Sequence, residues 1–335
     1  MRAAVVILCV LGMLACHSGK VKGRYISEKD TAFSQDIRDI SAKINKDPDN
    51  AELYYRRGNT FYYQKKYKDA LLDLGTAIEL DSMNPAYHFL MGESALKMDS
   101  ADSKLAMKHL QKAVQLKPGF HEASLLLGKL WLARQEYEKA EPLFTTLTTQ
   151  ASEADKGWLY LGICYKEKKD TNRALSAFER SMQANPQNYD AVMQKADLLA
   201  ARRDELALKL YDRALVINEY SDEVFYAKGL FLQKLNRYED AIKHYDRARN
   251  LNPGHILAHY NSAYIYMLFE DWVKALDMCN RTLDLDAGNA NALALRGYVH
   301  EKQGDKKSAL EDYKSALAKD PENAPAKAGL KAVGG

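Results

Sequence analysis

Four side chains in this 335-residue sequence stand where they could do chemistry: Cys164, Cys279, His255 and His259. A cysteine works as a nucleophile or redox centre when its thiol is partly exposed in an electropositive setting. Cys164 lies in WLYLGICYKE among bulky apolar and aromatic residues, and it is expected, like Cys279, to be a small buried hydrophobe. His255 and His259 stand at i and i+4 in HILAH, which puts two ligands on one helix face. Ile256 rather than Glu follows the first histidine, and no third ligand is close in sequence, so packing or surface roles are expected for both. The sequence shows no glycine-rich phosphate loop and no G-x-S-x-G elbow. A non-enzyme is expected, with no catalytic residue, cofactor or metal.

The composition agrees with that expectation. About 28% of residues are charged, 48 Lys and Arg against 45 Asp and Glu, for a formal net charge of +3. So even a balance gives no electrostatic case for nucleic acid, and it describes a globular or repeat protein rather than a disordered tail.

The N-terminus departs from this pattern. Arg2 supplies a short positive region, Ala3 to Leu14 form an apolar run, and Ala15 precedes Cys16. Residues 1–15 are expected to be a secretory signal, too short for a stable membrane span. The MLAC at its end resembles a bacterial lipobox, which implies cleavage before Cys16 and lipidation of that cysteine; plain secretion and an uncleaved anchor are the alternatives. Cys9 would then leave with the signal. Residues 16–30, HSGKVKGRYISEKD after the lipidated cysteine, are expected to be a polar tether.

Self-comparison of the rest uncovers a period. Small residues recur at Gly58, Gly92, Gly128, Gly162, Ala196, Gly229, Ala263 and Gly297, in steps of 33 to 36. In register with them run Ala70, Ala106, Ala140, Ala174, Ala207, Ala241, Ala275 and Ala309. Four residues further stand Leu74, Leu110, Phe144, Phe178, Tyr211, Tyr245, Cys279 and Tyr313, so Cys279 takes the place of a core aromatic. Within each unit the apolar residues fall at helical spacing in two blocks separated by a polar break, which predicts a helical hairpin. Where the two helices cross, a small residue lets the backbones approach, and the bulky residue fills the space beside it. Pro48, Pro118, Pro186, Pro253 and Pro321 are expected to stop the second helices, and Pro142 to kink one.

This pattern resembles the tetratricopeptide repeat family. Residues 155–188 carry its aromatic, Leu-Gly, Tyr, Ala, Phe and Pro series as Trp158, Leu161, Gly162, Tyr165, Ala174, Phe178 and Pro186. The resemblance implies an all-α fold, a right-handed α-solenoid of about eight hairpins, with units at 51–84, 85–120, 121–154, 155–188, 189–221, 222–255, 256–289 and 290–323. Two units differ in length, the second through extra residues near Asp99 to Ser103 and the fifth through a deletion near Arg203 to Glu205, in turns where such changes cost little. Residues 31–50 are expected to form an N-terminal capping helix and 324–335 a C-terminal capping helix and tail. In a solenoid each unit touches only its neighbours, so Cys164 and Cys279, three units apart, are out of disulfide range.

In this family the first helix of each unit lines a concave surface, chiefly through unit positions 2, 5, 9 and 12. The implied groove residues are Tyr55, Asn59, Tyr62, Phe89, Glu93, Leu96, Leu125 and Lys129, then Leu159, Ile163, Lys166, Met193 and Asp197. Tyr226, Leu230, Tyr260, Tyr264, Met267, Ala294 and Tyr298 complete it, and the aromatic run there suits an extended or helical segment of another protein. The carboxylate clamp of chaperone-binding members needs Lys and Asn at positions 5 and 9 of one unit; here Tyr55 accompanies Asn59.

Together the leader and repeats resemble bacterial envelope lipoproteins, some of which gather cell-wall enzymes while others help assemble pilus secretins. A non-catalytic scaffold is expected, binding peptide segments of envelope proteins; the alternative is a dedicated assembly factor or chaperone for one pilus, secretin or cell-wall complex. No nucleic acid or small-molecule substrate is expected. His17 after Cys16, rather than Asp, argues against inner-membrane retention by the enterobacterial rule, so a lipid anchor in the outer membrane, facing the periplasm, is expected.

Overall fold

The computed structural model describes Ile26 and residues 31–334; the signal at 1–15, Cys16 and most of the tether lie outside the described residues. Regular structure among the described residues is helical throughout. The chain divides after Leu147 into two compact units. The first holds α1 (Gln35–Lys46), α2 (Ala51–Tyr63), α3 (Tyr67–Leu80), α4 (Pro85–Lys97), α5 (Ser103–Leu116), α6 (His121–Ala133) and α7 (Tyr137–Leu147). The second holds α8 (Ala154–Glu167), α9 (Thr171–Ala184), α10 (Tyr189–Ala201), α11 (Leu206–Ile217), α12 (Asp222–Lys234) and α13 (Tyr238–Leu251). It continues through α14 (Ile256–Leu268), α15 (Trp272–Leu285), α16 (Ala290–Lys302), α17 (Lys306–Lys319) and α18 (Ala324–Ala332).

Within each unit, helices pair as hairpins from α2 with α3 to α16 with α17, and each hairpin packs on the next. First helices also meet across hairpins, α2 with α4 in one unit and α8, α10 and α12 in the other, which gives each unit a face made of first helices. Such nearest-neighbour packing defines a solenoid.

The small and bulky series meet inside each hairpin. A Cβ added at Gly162 would stand 2.5 Å from Cε1 of Phe178, one at Gly128 2.6 Å from Cε1 of Phe144, and one at Gly229 2.8 Å from Cε1 of Tyr245. Real Cβ atoms do not approach so closely, so these crossings require glycine. Where the small residue is Ala263 the bulky partner shrinks to Cys279, and the two share one buried cluster with Leu295. Alanine with cysteine thus fills a crossing that glycine with tyrosine fills at Gly229 and Gly297.

The turn inside the hairpins has its own rule. Lys65, Gln135, Lys169, Arg203, Asn236, Glu270 and Gly304 all occupy unit position 15, and all have positive φ, from 57° to 85°. The second hairpin, with its longer turn, has no counterpart, and only the last uses glycine, the residue without a Cβ penalty there. Asp102, Asp170, Asp271 and Asp305 then cap the helices that follow by accepting backbone N–H bonds. The five stop prolines each stand two residues beyond a helix end.

α7 runs through Pro142 and has 11 residues, where α11 has 12 and α3, α5, α9, α13, α15 and α17 have 14. Two expectations need correction. The N-terminal cap helix begins at Gln35 rather than Thr31, because Phe33 turns inward to meet Phe61 edge-on at 6.0 Å. Ile26, expected in a solvated tether, is 1% exposed and joins the cluster of Phe33, Ile37, Phe61 and Leu74. An isoleucine in reach of an open apolar end gains more by burial than by solvation.

Candidate functional site

The residues best suited to chemistry are spent on structure. Cys164 and Cys279 are fully buried, and burial pushes the Cys279 thiol up to about 12, so it is not a thiolate at neutral pH. His255 caps α14, its Nδ1 accepting the N–H of Ala258 at 3.3 Å. His259 instead donates from Nε2 to the Pro253 carbonyl at 3.0 Å, and burial holds it below the usual histidine range. The two rings are thus committed to different backbone partners rather than to a shared ligand.

The first-helix faces carry many of the aromatic residues. In the first unit Tyr55 stacks at a tilt on Tyr87, ring centroids 4.9 Å apart, and Tyr62 meets Tyr63 and Tyr67 edge-on. Burial raises the hydroxyls of Tyr55 and Tyr62, and Glu93, bonded to Tyr62, raises the latter further. Phe89 packs on Phe120 at 4.9 Å. Asn59 and Leu125 are half-buried and Lys129 is exposed.

In the second unit Leu159 is a correction. It is 5% exposed and belongs to the core cluster with Phe178 and Val192. An aliphatic side chain at position 5 of α8 sinks into the contact with α10, whereas Ile163 and Met193 stay at the edge of that cluster. Tyr226 is half-buried, its ring 4.6 Å from that of His255 and its hydroxyl accepting from Asn261 at 3.3 Å. Leu230 is half-buried.

Past Tyr226 the face deepens. Tyr260, Tyr264 and Met267 of α14, Ala294 and Tyr298 of α16, and Pro325, Ala328 and Ala332 of α18 surround a cavity of about 520 Å³. The structure thus brings five of the groove residues inferred from sequence into one site. Tyr264 is the most open of them, at 38% exposure, and Ala294, buried itself, makes floor.

Sequence reasoning missed the polar framework beneath this face. The bulky-series tyrosines reach across their hairpins to first-helix residues: Tyr211 donates to Asp197 at 2.9 Å, Tyr245 to Gln233 at 2.7 Å and Tyr313 to Glu301 at 2.8 Å. The groove walls displace water from Asp197 and raise its carboxyl, against the pull of Tyr211, Lys166 and Lys234. Two ion pairs tie first to second helices, Arg57 with Asp73, fully buried, and Arg296 with Asp312, half-buried, each fork bidentate at 2.7 to 2.9 Å. The sixteen-residue spacing common to both pairs was a signal available in the sequence.

Comparison with known proteins bears on these repeats. Models described as tetratricopeptide repeat match residues 96–156, 125–188, 222–255 and 290–323, and a TPR repeat model matches 58–99. This chain carries tetratricopeptide repeats. It is 23% identical over 278 residues to a tetratricopeptide repeat-containing protein of Methanocaldococcus jannaschii, covering 83% of this chain and 46% of that one. It is 24% identical over 316 residues to DnaJ homolog subfamily C member 3 of Bos taurus, covering 84% and 62%. The chain therefore spans roughly half the length of these repeat-bearing relatives. Among solved structures, that of pilF from Pseudomonas aeruginosa superposes with a TM-score of 0.52 at 18% identity, covering 66% of this chain and 96% of that one, a likeness of fold. Tetratricopeptide repeats typically serve protein–protein interaction.

Proposed function

We propose that this protein is a non-catalytic interaction scaffold that holds a peptide segment of a partner on its first-helix face, while a lipid on Cys16 tethers it in the bacterial envelope at the periplasmic side of the outer membrane. The cavity of α14, α16 and α18 carries the binding part of this reading. Its lining is mostly aromatic and apolar with few polar groups, the composition of a site that gains affinity by desolvation and orients its ligand through a small number of bonds. Tyrosine suits it, offering large contact area with a polar tip and few rotatable bonds. Anchoring raises the local concentration of scaffold and partner on one surface, so modest groove affinity suffices.

Two experiments test the two parts separately. Affinity capture from envelope extract compares the full chain with a Tyr226→Ala, Tyr260→Ala, Tyr264→Ala variant whose helix content is checked by circular dichroism. Loss of the same set of retained proteins supports the groove, and unchanged capture by the folded variant overturns it. For the anchor, metabolic labelling with a fatty acid is expected to mark the wild type and not Cys16→Ala; equal labelling, or none in either, rejects lipidation at that residue.

A further inference from the structure

The C-terminal cavity has a charge character that the aromatic residues alone do not reveal. Of the residues lining it only one is charged, Glu301, and no lysine, arginine or histidine reaches it. Glu301 is fixed in place, since its Oε2 accepts the Tyr313 hydroxyl at 2.8 Å. Burial, then the bond to Glu301, raises the Tyr313 hydroxyl, so Tyr313 remains a donor and does not compete as an anion. The rings of Tyr260, Tyr264 and Tyr298 line the same cavity. One of these rings already holds a cation: Nζ of Lys302 lies 5.0 Å from the Tyr298 centroid.

We infer that this cavity is a receptor for a basic side chain, a lysine or arginine of the partner polypeptide, seated among the three tyrosines with its charge directed to Glu301. The inference rests on the groove reading above and specifies its ligand. The physics favours a cation over other occupants. Aromatic faces attract cations through their quadrupoles, more strongly as water is excluded, and a fixed carboxylate adds a charge-assisted hydrogen bond. An acidic segment or a C-terminal carboxylate would face Glu301 with no compensating positive lining residue. A purely apolar segment would bury the Glu301 charge with only the Tyr313 hydroxyl to offset it. At about 520 Å³ the cavity is larger than one side chain, leaving room for the flanking peptide along α14 and α18.

The test uses the full chain in detergent and a displayed library of random 12-residue peptides, counter-selected against Tyr264→Ala. Enriched peptides are expected to share a Lys or Arg, and replacing that residue by norleucine should weaken binding about tenfold. Glu301→Gln keeps an acceptor for Tyr313 yet removes the charge. It should weaken the basic peptides five- to tenfold and leave their norleucine versions unchanged. Lys302→Met, which lifts a competing cation from Tyr298, should tighten the basic peptides two- to threefold. Enrichment of peptides without a basic residue, or indifference to Glu301→Gln, overturns the cation inference while the groove reading survives. If no peptide distinguishes wild type from Tyr264→Ala, both fall.

Discussion

A Cβ added at Gly329 of α18 would lie 2.1 Å from Cζ of Tyr313, the closest approach at any glycine in the described chain. The same ring also meets Gly297, where an added Cβ would be 2.9 Å from Cδ1. Tyr313 of α17 is thereby packed against glycines of both α16 and α18. Gly329→Ala should push α18 away and cost about 1–3 kcal/mol. The measurement is a urea melt with hydrogen exchange across 324–332, where protection should fall first. Gly119→Ala, with nothing within 4 Å of the new atom, is the control and should change little.

The pairing of Ala263 with Cys279 predicts non-additivity. Cys279→Tyr alone puts a ring against the Ala263 side chain and should destabilise by about 1–3 kcal/mol. Adding Ala263→Gly recreates the crossing seen at Gly229 with Tyr245 and at Gly297 with Tyr313, and should restore at least half of the loss. A thermal double-mutant cycle decides it: strict additivity would show that the exchange of volume is not what keeps cysteine there.

These two sites show what sequence makes legible. The hairpins and their close crossings could be inferred, because Gly162 and Phe178, or Gly297 and Tyr313, recur at one spacing and their sizes alone dictate contact. Depth was not legible. Position 5 places both Leu159 and Tyr260 on the first-helix face, but whether a side chain sinks or stays open depends on its length and on the neighbouring hairpin, so Leu159 joined the core and Tyr260 the cavity wall. Polar pairs unique to one hairpin, such as His88 with His109, left no periodic trace at all.

The seven left-handed turn residues give a graded prediction. A residue with a Cβ costs about 1–2 kcal/mol in this conformation, asparagine less, and glycine avoids the cost at some expense in chain entropy. Glu270→Gly, at φ 57°, should therefore stabilise by about 0.5–1 kcal/mol, and Asn236→Gly, at φ 60°, by clearly less. Urea midpoints of the two variants against wild type check the order; destabilisation by Glu270→Gly would mean that its side chain holds the turn.

His88 and His109 predict acid sensitivity. Their Nδ1 atoms lie 2.9 Å apart, both rings are buried, and Nε2 of His88 meets the Ser82 carbonyl at 3.1 Å. Since a carbonyl only accepts, Nε2 of His88 carries hydrogen and its Nδ1 accepts from His109. Burial lowers both, and with His88 and Lys108 nearby His109 falls to about 4. A histidine depressed on folding binds more protons when unfolded, so its contribution is complete above about pH 7 and is lost as pH falls from about 6.5 toward 4, reaching on the order of 3 kcal/mol for His109. Urea stability measured across that range should decline, and His109→Phe, though weaker at pH 7, should flatten the decline. An unchanged slope in the variant assigns the acid effect to other groups.

The nine residues of α18 cover a surface that a second copy of this chain could otherwise use. They occupy the seat that the first helix of a ninth hairpin would take, capped by Asn323 as α16 is by Asn289. A chain ending at Asn323 would bare Tyr313 and the flank of α16 as a sticky end, and a repeat surface can be satisfied by the next copy as readily as by its own continuation. Light scattering should then show mass growing with concentration, a fibre in place of a monodisperse particle; constant mass would leave the helix a role in folding alone. A growing mass would mean that α18, by covering that surface, is what keeps copies of this chain apart.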